Sequence, residues 1–159
     1  MAIPQTGAAV LVVNEDGEIL LLKKANGNKW VIPGGVQELG EDFEEVALRE
    51  LFEETGIKYP KENLILIGVV TGEGRHKVYP NGDEVYNNTV LYLANNVKVN
   101  SVDISSEDYQ DNGDGEYRLV QESTDYSWFS KDNLPRDETV HDLDLIKTYV
   151  KYLDRKNHQ

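Results

Sequence analysis

The sequence predicts an α/β fold, a mixed β-sheet sandwiched between helices. Three observations carry that expectation. Short apolar runs separated by turn residues read as strands; the stretch from Asp42 to Gly56 switches to helical spacing; and the C-terminal segment is amphipathic at a helical period. The 159 residues, 39% apolar and 28% charged, read as a single domain over 1–159, long enough to bury a core.

Taken in order, "GAAVLVV" and "EILLLKK" flank "NEDG", where Asp16-Gly17 marks a turn, so residues 7–24 predict a β-hairpin. "NGNKWVIPGG" then runs through a loop and a short apolar stretch to a Pro33-Gly34-Gly35 bend. From about Asp42, Phe43, Val46, Ala47 and Leu51 form one apolar helical stripe, with Gly56 as its αL cap. Residues 63–70 and 85–94 predict strands, with a polar loop between them in which Pro80, Asn81 and Gly82 make a turn. "SEDYQDNGDGEYRLVQEST" (106–124), rich in acids and glycine, predicts a mobile surface loop, and "YSWF" a short strand. In "TVHDLDLIKTYVKYLDRK", Val140, Leu143, Tyr149, Val150 and Leu153 predict a helix over the sheet.

Composition excludes several functions. There are no cysteines, so no disulfide, thiolate nucleophile or cysteine zinc site, and His76, His141 and His158 are too scattered to indicate a histidine metal site. A net charge of −13 argues against a nucleic-acid polymer as partner, because such binding needs Lys and Arg against phosphates. The longest apolar run is far short of the roughly 18 residues of a membrane span, and "MAIPQTG" lacks the pattern of a secretory signal. The expectation is a soluble cytoplasmic protein with no membrane partner. A small phosphate ligand stays compatible with the acidity if divalent cations lie between the two sets of oxygens.

"ALRELFEETGI" (47–57) gathers Glu50, Glu53 and Glu54 in the last turns of the predicted helix. Anions there meet the negative end of the helix dipole at roughly 0.3–1 kcal/mol each, and like charges at i,i+4 add to that. At i, i+3 and i+4 the three share one face. Either they are a solvated acidic face, the usual meaning of a charge run, or they hold a hard cation such as Mg²⁺ or Mn²⁺. The solvated reading suits Glu41, Asp42, Glu44 and Glu45 at the helix start and suits the later trio poorly.

Gly35, Glu41, Arg49, Glu50, Leu51, Glu53, Glu54, Gly56 and Ile57 fill every fixed position of G-x5-E-x7-R-E-U-x-E-E-x-G-U, with U aliphatic. This stretch resembles the Nudix box of the MutT-like hydrolases, and "W-x-x-P-G-G" before it and "ES…WF…LP" after it resemble the same family. The resemblance implies a Nudix α/β/α sandwich around a central mixed sheet, and Mg²⁺- or Mn²⁺-dependent hydrolysis of a nucleoside diphosphate linked to a group X. By position it makes Glu53, Glu54 and the Gly34 carbonyl metal ligands, and Glu50 a ligand or the base. Arg49 orients Glu50 or its neighbours, and Glu41 stands behind the metal ligands or adds a contact. A late glutamate completes the site: Glu122 matches best, with Glu116 and Glu107 as alternatives. Homodimers are common among similar proteins, so a homodimer is an open expectation. A catalytically silent, nucleotide-sensing module is the alternative, and its mark would be a degraded box.

Substrate choice usually lies outside the box. The proline associated with ADP-ribose hydrolases would fall near Thr71 to Glu73 and is absent, and neither the coenzyme A nor the NADH pattern fits. Lys24, Arg75, Tyr79 and Asp83 are candidates for contacts to the substrate, against plain surface charge for Lys24 and a simple turn for Pro80–Asp83.

Overall fold

The computed structural model describes residues 1–25, 27, 29–79, 81–111, 113–135 and 140–158. The main sheet is built from β1 (Ala2–Asn14), β2 (Ile19–Lys24), β3 (Trp30–Val31), β4 (Gly34–Val36), β5 (Ile65–Val70), β6 (His76–Val78), β7 (Glu84–Val97) and β10 (Ser123–Phe129). Its backbone order is β10-β2-β1-β7-β5, with β3 on β2, β4 on β1 and β6 on β7. The β1–β7 pair is parallel, from Ala2 opposite Glu84 to Asn14 opposite Val97, and the other pairs are antiparallel. A parallel pair needs a crossover, and this one carries helix α1 (Phe43–Thr55).

The unbroken apolar run in β1 reflects burial on both faces. Ala8, Val10 and Val12 join Leu20 and Leu22 under Val46, Ala47 and Leu51 of α1. Ala9, Leu11 and Val13 join Ile19 and Leu21 under Leu145, Ile146 and Tyr149 of α2 (Leu143–Asn157). Each fully buried aliphatic side chain contributes about 1.5–3 kcal/mol, so both helices are held mainly by the central strands. The α/β/α sandwich is therefore the observed architecture. Among the described residues no helix is long and apolar enough to cross a membrane.

The hairpin closes as expected, with Asn14 Oδ1 accepting from the N–H groups of Asp16 and Glu18. Helix α1 begins at a capping box: Asp42 Oδ1 accepts from Glu45 N–H at 2.8 Å, and Glu45 Oε1 accepts from Asp42 N–H. It ends at Gly56, whose φ of +73° puts it in the left-handed region and whose N–H returns to Phe52 O.

Several expectations need correction. The segment 106–124 is not a plain loop. It holds β8 (Glu107–Asp111) and β9 (Tyr117–Gln121), a separate antiparallel hairpin in which Tyr109 lies opposite Leu119. The C-terminal helix starts at Leu143, later than expected, because the residues before it are engaged elsewhere. Val140 bridges Trp30, His141 N–H donates to Trp30 O, and Asp142 Oδ2 accepts from Ile32 N–H. Its buried stripe is also rotated: Leu145, Ile146 and Tyr149 face the sheet, whereas Leu143 is exposed. The strand expected over 63–70 begins at Ile65, after a 3₁₀ turn at Lys61–Asn63, and that expected over 85–94 extends to 84–97. Pro80, named in the expected turn, lies outside the described residues.

Candidate active site

The carboxylates meet where α1 packs over β4. Gly35 permits this approach: a Cβ there would collide with the Glu50 carboxylate. Arg49 ties the cluster together. Its Nε and Nη2 donate to the two carboxylate oxygens of Glu41 at 2.7 and 2.9 Å, a bidentate fork. Nη1 donates to Glu50 Oε1 at 2.8 Å and to Glu53 Oε2 at 3.4 Å, and Nη2 also reaches Val36 O. Those bonds, Glu41's foremost, hold the Arg49 pKa above its usual value and the Glu41 pKa below its own.

The trio divides. Glu53 is half-exposed, with 53% of its side chain accessible, whereas the Glu54 side chain is 5% accessible. Glu54 Oε2 accepts from Gly34 N–H at 2.8 Å, and Oε1 lies 3.8 Å from Lys24 Nζ. Lys24 also lies 3.5 Å from Glu122, which sits between β9 and β10. Burial pushes the Glu54 pKa well above the usual carboxylate range, with Lys24 opposing and Glu50 reinforcing. Burial also raises the Glu50 pKa to about 7, against the opposing pull of Arg49 and with support from Glu53 and Glu122. Of the late candidates, Glu122 is the one whose charge bears on Glu50 and Glu54; Glu116 pairs with Arg118 in the hairpin turn, and Glu107 lies exposed on β8.

A pocket of about 170 Å³ runs from this cluster across the α2 side of the sheet. It reaches from Lys24, Gly34, Gly35 and Glu54 to Arg75, Lys77, Tyr79, Asn87, His141 and Asp142. The structure thus brings Lys24, Arg75 and Tyr79 to one pocket. Asp83 stays outside it, in the turn where its carbonyl accepts from Tyr79 N–H and its own N–H donates to Asn81 Oδ1. His76 faces away and stacks on Tyr86. Arg75 has a structural task as well, donating to Asp142 at 3.1 Å, to Asp144 at 3.2 Å and to Thr89. Sequence reasoning missed Lys77, Asn87, His141 and Asp142; alternation along β6 and β7 was the only available signal for the first two, and none pointed to the others.

The donor set suits a hard divalent cation: carboxylate oxygens, one deeply buried, with Lys24 and Arg49 as the adjacent cations. Among the described residues no three His, Asp or Glu side chains close on one ion position. Glu50 is turned to Arg49, and Glu54 to Gly34 and Lys24. Mg²⁺ in general takes one or two carboxylates and fills its octahedron with water and substrate phosphate.

Comparison with known proteins places the chain. The NUDIX domain model matches residues 3–149, and the chain belongs to the Nudix family. A "MutT-like protein" of Streptomyces ambofaciens is 45% identical over 56 residues, 35% of this chain and 36% of that one. The "ADP-ribose pyrophosphatase" of Methanocaldococcus jannaschii is 26% identical over 144 residues, 89% of this chain and 70% of that one. Among solved structures, the MutT NUDIX hydrolase from Burkholderia pseudomallei superposes with a TM-score of 0.61 at 26% identity, covering 91% of this chain and 97% of that one. The match spans 54% of a Bacillus subtilis relative's length and 36% of the Streptomyces protein's.

Proposed function

We propose that the protein is a pyrophosphohydrolase that cleaves a nucleoside diphosphate linked to X, with Mg²⁺ or Mn²⁺ bound by Glu53, Glu54, Glu122 and the Gly34 carbonyl and with Glu50 as the base. The products are a nucleoside monophosphate and phosphorylated X, which is pyrophosphate where X is a single phosphate. The observation that carries this reading is the Glu54 carboxylate, 5% accessible yet lining the pocket, held there by Gly34 N–H and Lys24 with the Arg49-bound Glu50 one turn before it on α1.

When bound, the ions neutralise the diphosphate oxygens and bring a bound water's pKa toward neutrality. The chain supplies the rest. Arg49 fixes Glu50 through Oε1, and Oε2 has no hydrogen-bond partner among the described residues, so it is the oxygen free to take the proton of a water attacking phosphorus. Glu41 locks the other side of the Arg49 fork, so the base is held by a residue that is itself held. Gly34 N–H and Lys24 keep Glu54 oriented toward the pocket.

The test is a panel of nucleoside triphosphates, ADP-ribose, dinucleoside polyphosphates and nucleotide sugars, run with Mg²⁺ and with Mn²⁺. On the substrate so found, Glu53→Gln and Glu54→Gln are expected to lower kcat by more than about 100-fold, within the range for lost proton-transfer or electrostatic groups. Turnover within a factor of about three, a loss below 1 kcal/mol of barrier, would remove the assigned roles.

A further inference from the structure

Lys77 differs from Lys24 and Arg75 in forming no ion pair with a carboxylate among the described residues. Lys24 faces Glu54 and Glu122, and Arg75 faces Asp142 and Asp144. Among the described residues no carboxylate lies within ion-pair reach of Lys77, whose ammonium stands 4.7 Å from the centre of the Tyr79 ring. On β6 it sits opposite Val85, so it shares a sheet face with Val85, Asn87 and Thr89, and Lys77, Asn87 and Thr89 all line the pocket. His141 comes to the same pocket from the residues before α2.

This gathering runs against the chain's balance of 29 acidic to 16 basic residues. It also leaves a mark on the residues themselves. Partial desolvation holds the pKa of the surface-exposed His141 below its usual value, and Lys29, Lys77 and Arg75 lower it further against Asp142. Lys77 is lowered by the protein around it and then by Lys24, Lys29 and Arg75, again against Asp142. A rim lysine is ordinarily a solvated charge of little consequence. This one is braced on an aromatic ring and lines a cleft beside Lys24 and Arg75, whose charges are already taken up by carboxylates, so among the described residues of the cleft its charge is the one left for a further anion.

We infer that Lys77 and His141 form an anion subsite, taking a phosphate of the ligand beyond the diphosphate at the carboxylate end. The inference rests on the pyrophosphohydrolase reading and narrows its substrate class. Nucleotides with a further phosphate, whether triphosphates or those whose X is phosphorylated, are preferred over nucleotides whose X is a neutral sugar.

Two measurements test this separately from the hydrolysis itself. Tripolyphosphate binding is followed by calorimetry in EDTA, where the carboxylate end offers chiefly negative charge. The wild type is expected to bind, Lys77→Met to bind at least tenfold more weakly, and Lys77→Arg to keep most of the affinity. Lys98→Met, at an exposed lysine paired with Glu15 away from the pocket, is expected to match the wild type. In turnover, Lys77→Met should raise KM for a nucleoside triphosphate at least tenfold while altering kcat/KM for a neutral nucleotide sugar less than threefold. No tripolyphosphate binding by the wild type in EDTA, or equal losses on both substrates, overturns the subsite. Absence of hydrolysis on every nucleotide overturns the enzymatic reading instead, and the binding arm still decides the subsite on its own.

Discussion

At one end of the pocket Gly34, Gly35 and Glu54 line it with Lys24, and Glu41, Arg49, Glu50 and Glu53, from the same stretch of chain, stand behind them, with Glu122 joined through Lys24. At the other end Arg75, Lys77, Asn87, His141 and Asp142 come from three stretches that the sheet and the start of α2 bring together. Their electrostatics are mirror images. Glu50 and Glu54 are pushed up toward the protonated form, and Lys77 and His141 are pushed down toward the neutral form. The carboxylate end gathers more acids than Lys24 and Arg49 match, and at the other end Asp142 and Asp144 take up Arg75 and leave Lys77 without an ion pair among the described residues. A nucleotide phosphate chain accompanied by divalent cations carries both signs, so one ligand can relieve both ends.

The two ends should also fail differently. The basic end depends on tertiary packing, and its keystone is the Arg75–Asp142 pair, with about 9% of each side chain accessible. Asp142 holds Ile32 N–H as well, so the pair links α2, the approach to Gly34 and the 3₁₀ turn Glu73–Arg75. Arg75→Met is expected to destabilise the protein by about 3–5 kcal/mol, because it strands a buried carboxylate. Urea unfolding checks this. A loss below about 1 kcal/mol would mean that the pair is solvated and that the basic end is not tied to the fold.

The carboxylate end predicts the opposite pattern, a loss of function with little loss of fold. Gly35→Ala inserts a methyl group against the Glu50 carboxylate, which must move, while the apolar core beneath α1 is untouched. Displacement of about 1 Å at such a group can cost on the order of 100-fold in rate. The expected result is a fall of that size in kcat with the unfolding midpoint nearly unchanged. An unaltered kcat would show that the position of Glu50 does not matter to the reaction.

The same contrast explains what could be read from the residues alone. The Glu41–Arg49–Glu50 arrangement was legible because helical spacing and a contiguous motif place all three within two turns and a loop. The start of α1 was legible because Asp42 and Glu45 cap it locally. The β8–β9 hairpin was not, since acids and glycines dominate its composition and the pairing of Tyr109 with Leu119 is a cross-strand contact. The start of α2 was misplaced for a related reason. Asp142 spends its carboxylate on Ile32 and Arg75, partners 110 and 67 residues away, and no local signal announces that. Lys77 and His141 are ordinary residues until the sheet sets them around one cleft.

The finest test of the mirror-image charges is the dependence of stability on pH in EDTA. The Glu50 carboxyl lies near 7 in the folded protein, against an ordinary value of 4.5. Between those values the folded state holds a proton that the unfolded chain has released, so this group's contribution to stability falls as pH rises. His141 works in the other direction: with its folded pKa below 6.5, the unfolded chain binds the extra proton, and stability rises with pH through that window. The two partly cancel in the wild type. Glu50→Gln removes the first and keeps the second, so its stability relative to the wild type should climb between about pH 4.5 and pH 7 and then level off, as read from chemical denaturation at each pH. A flat difference would mean that Arg49 outweighs burial at Glu50. The carboxylate would then be charged throughout, and the excess of negative charge at that end would already be met from within the chain.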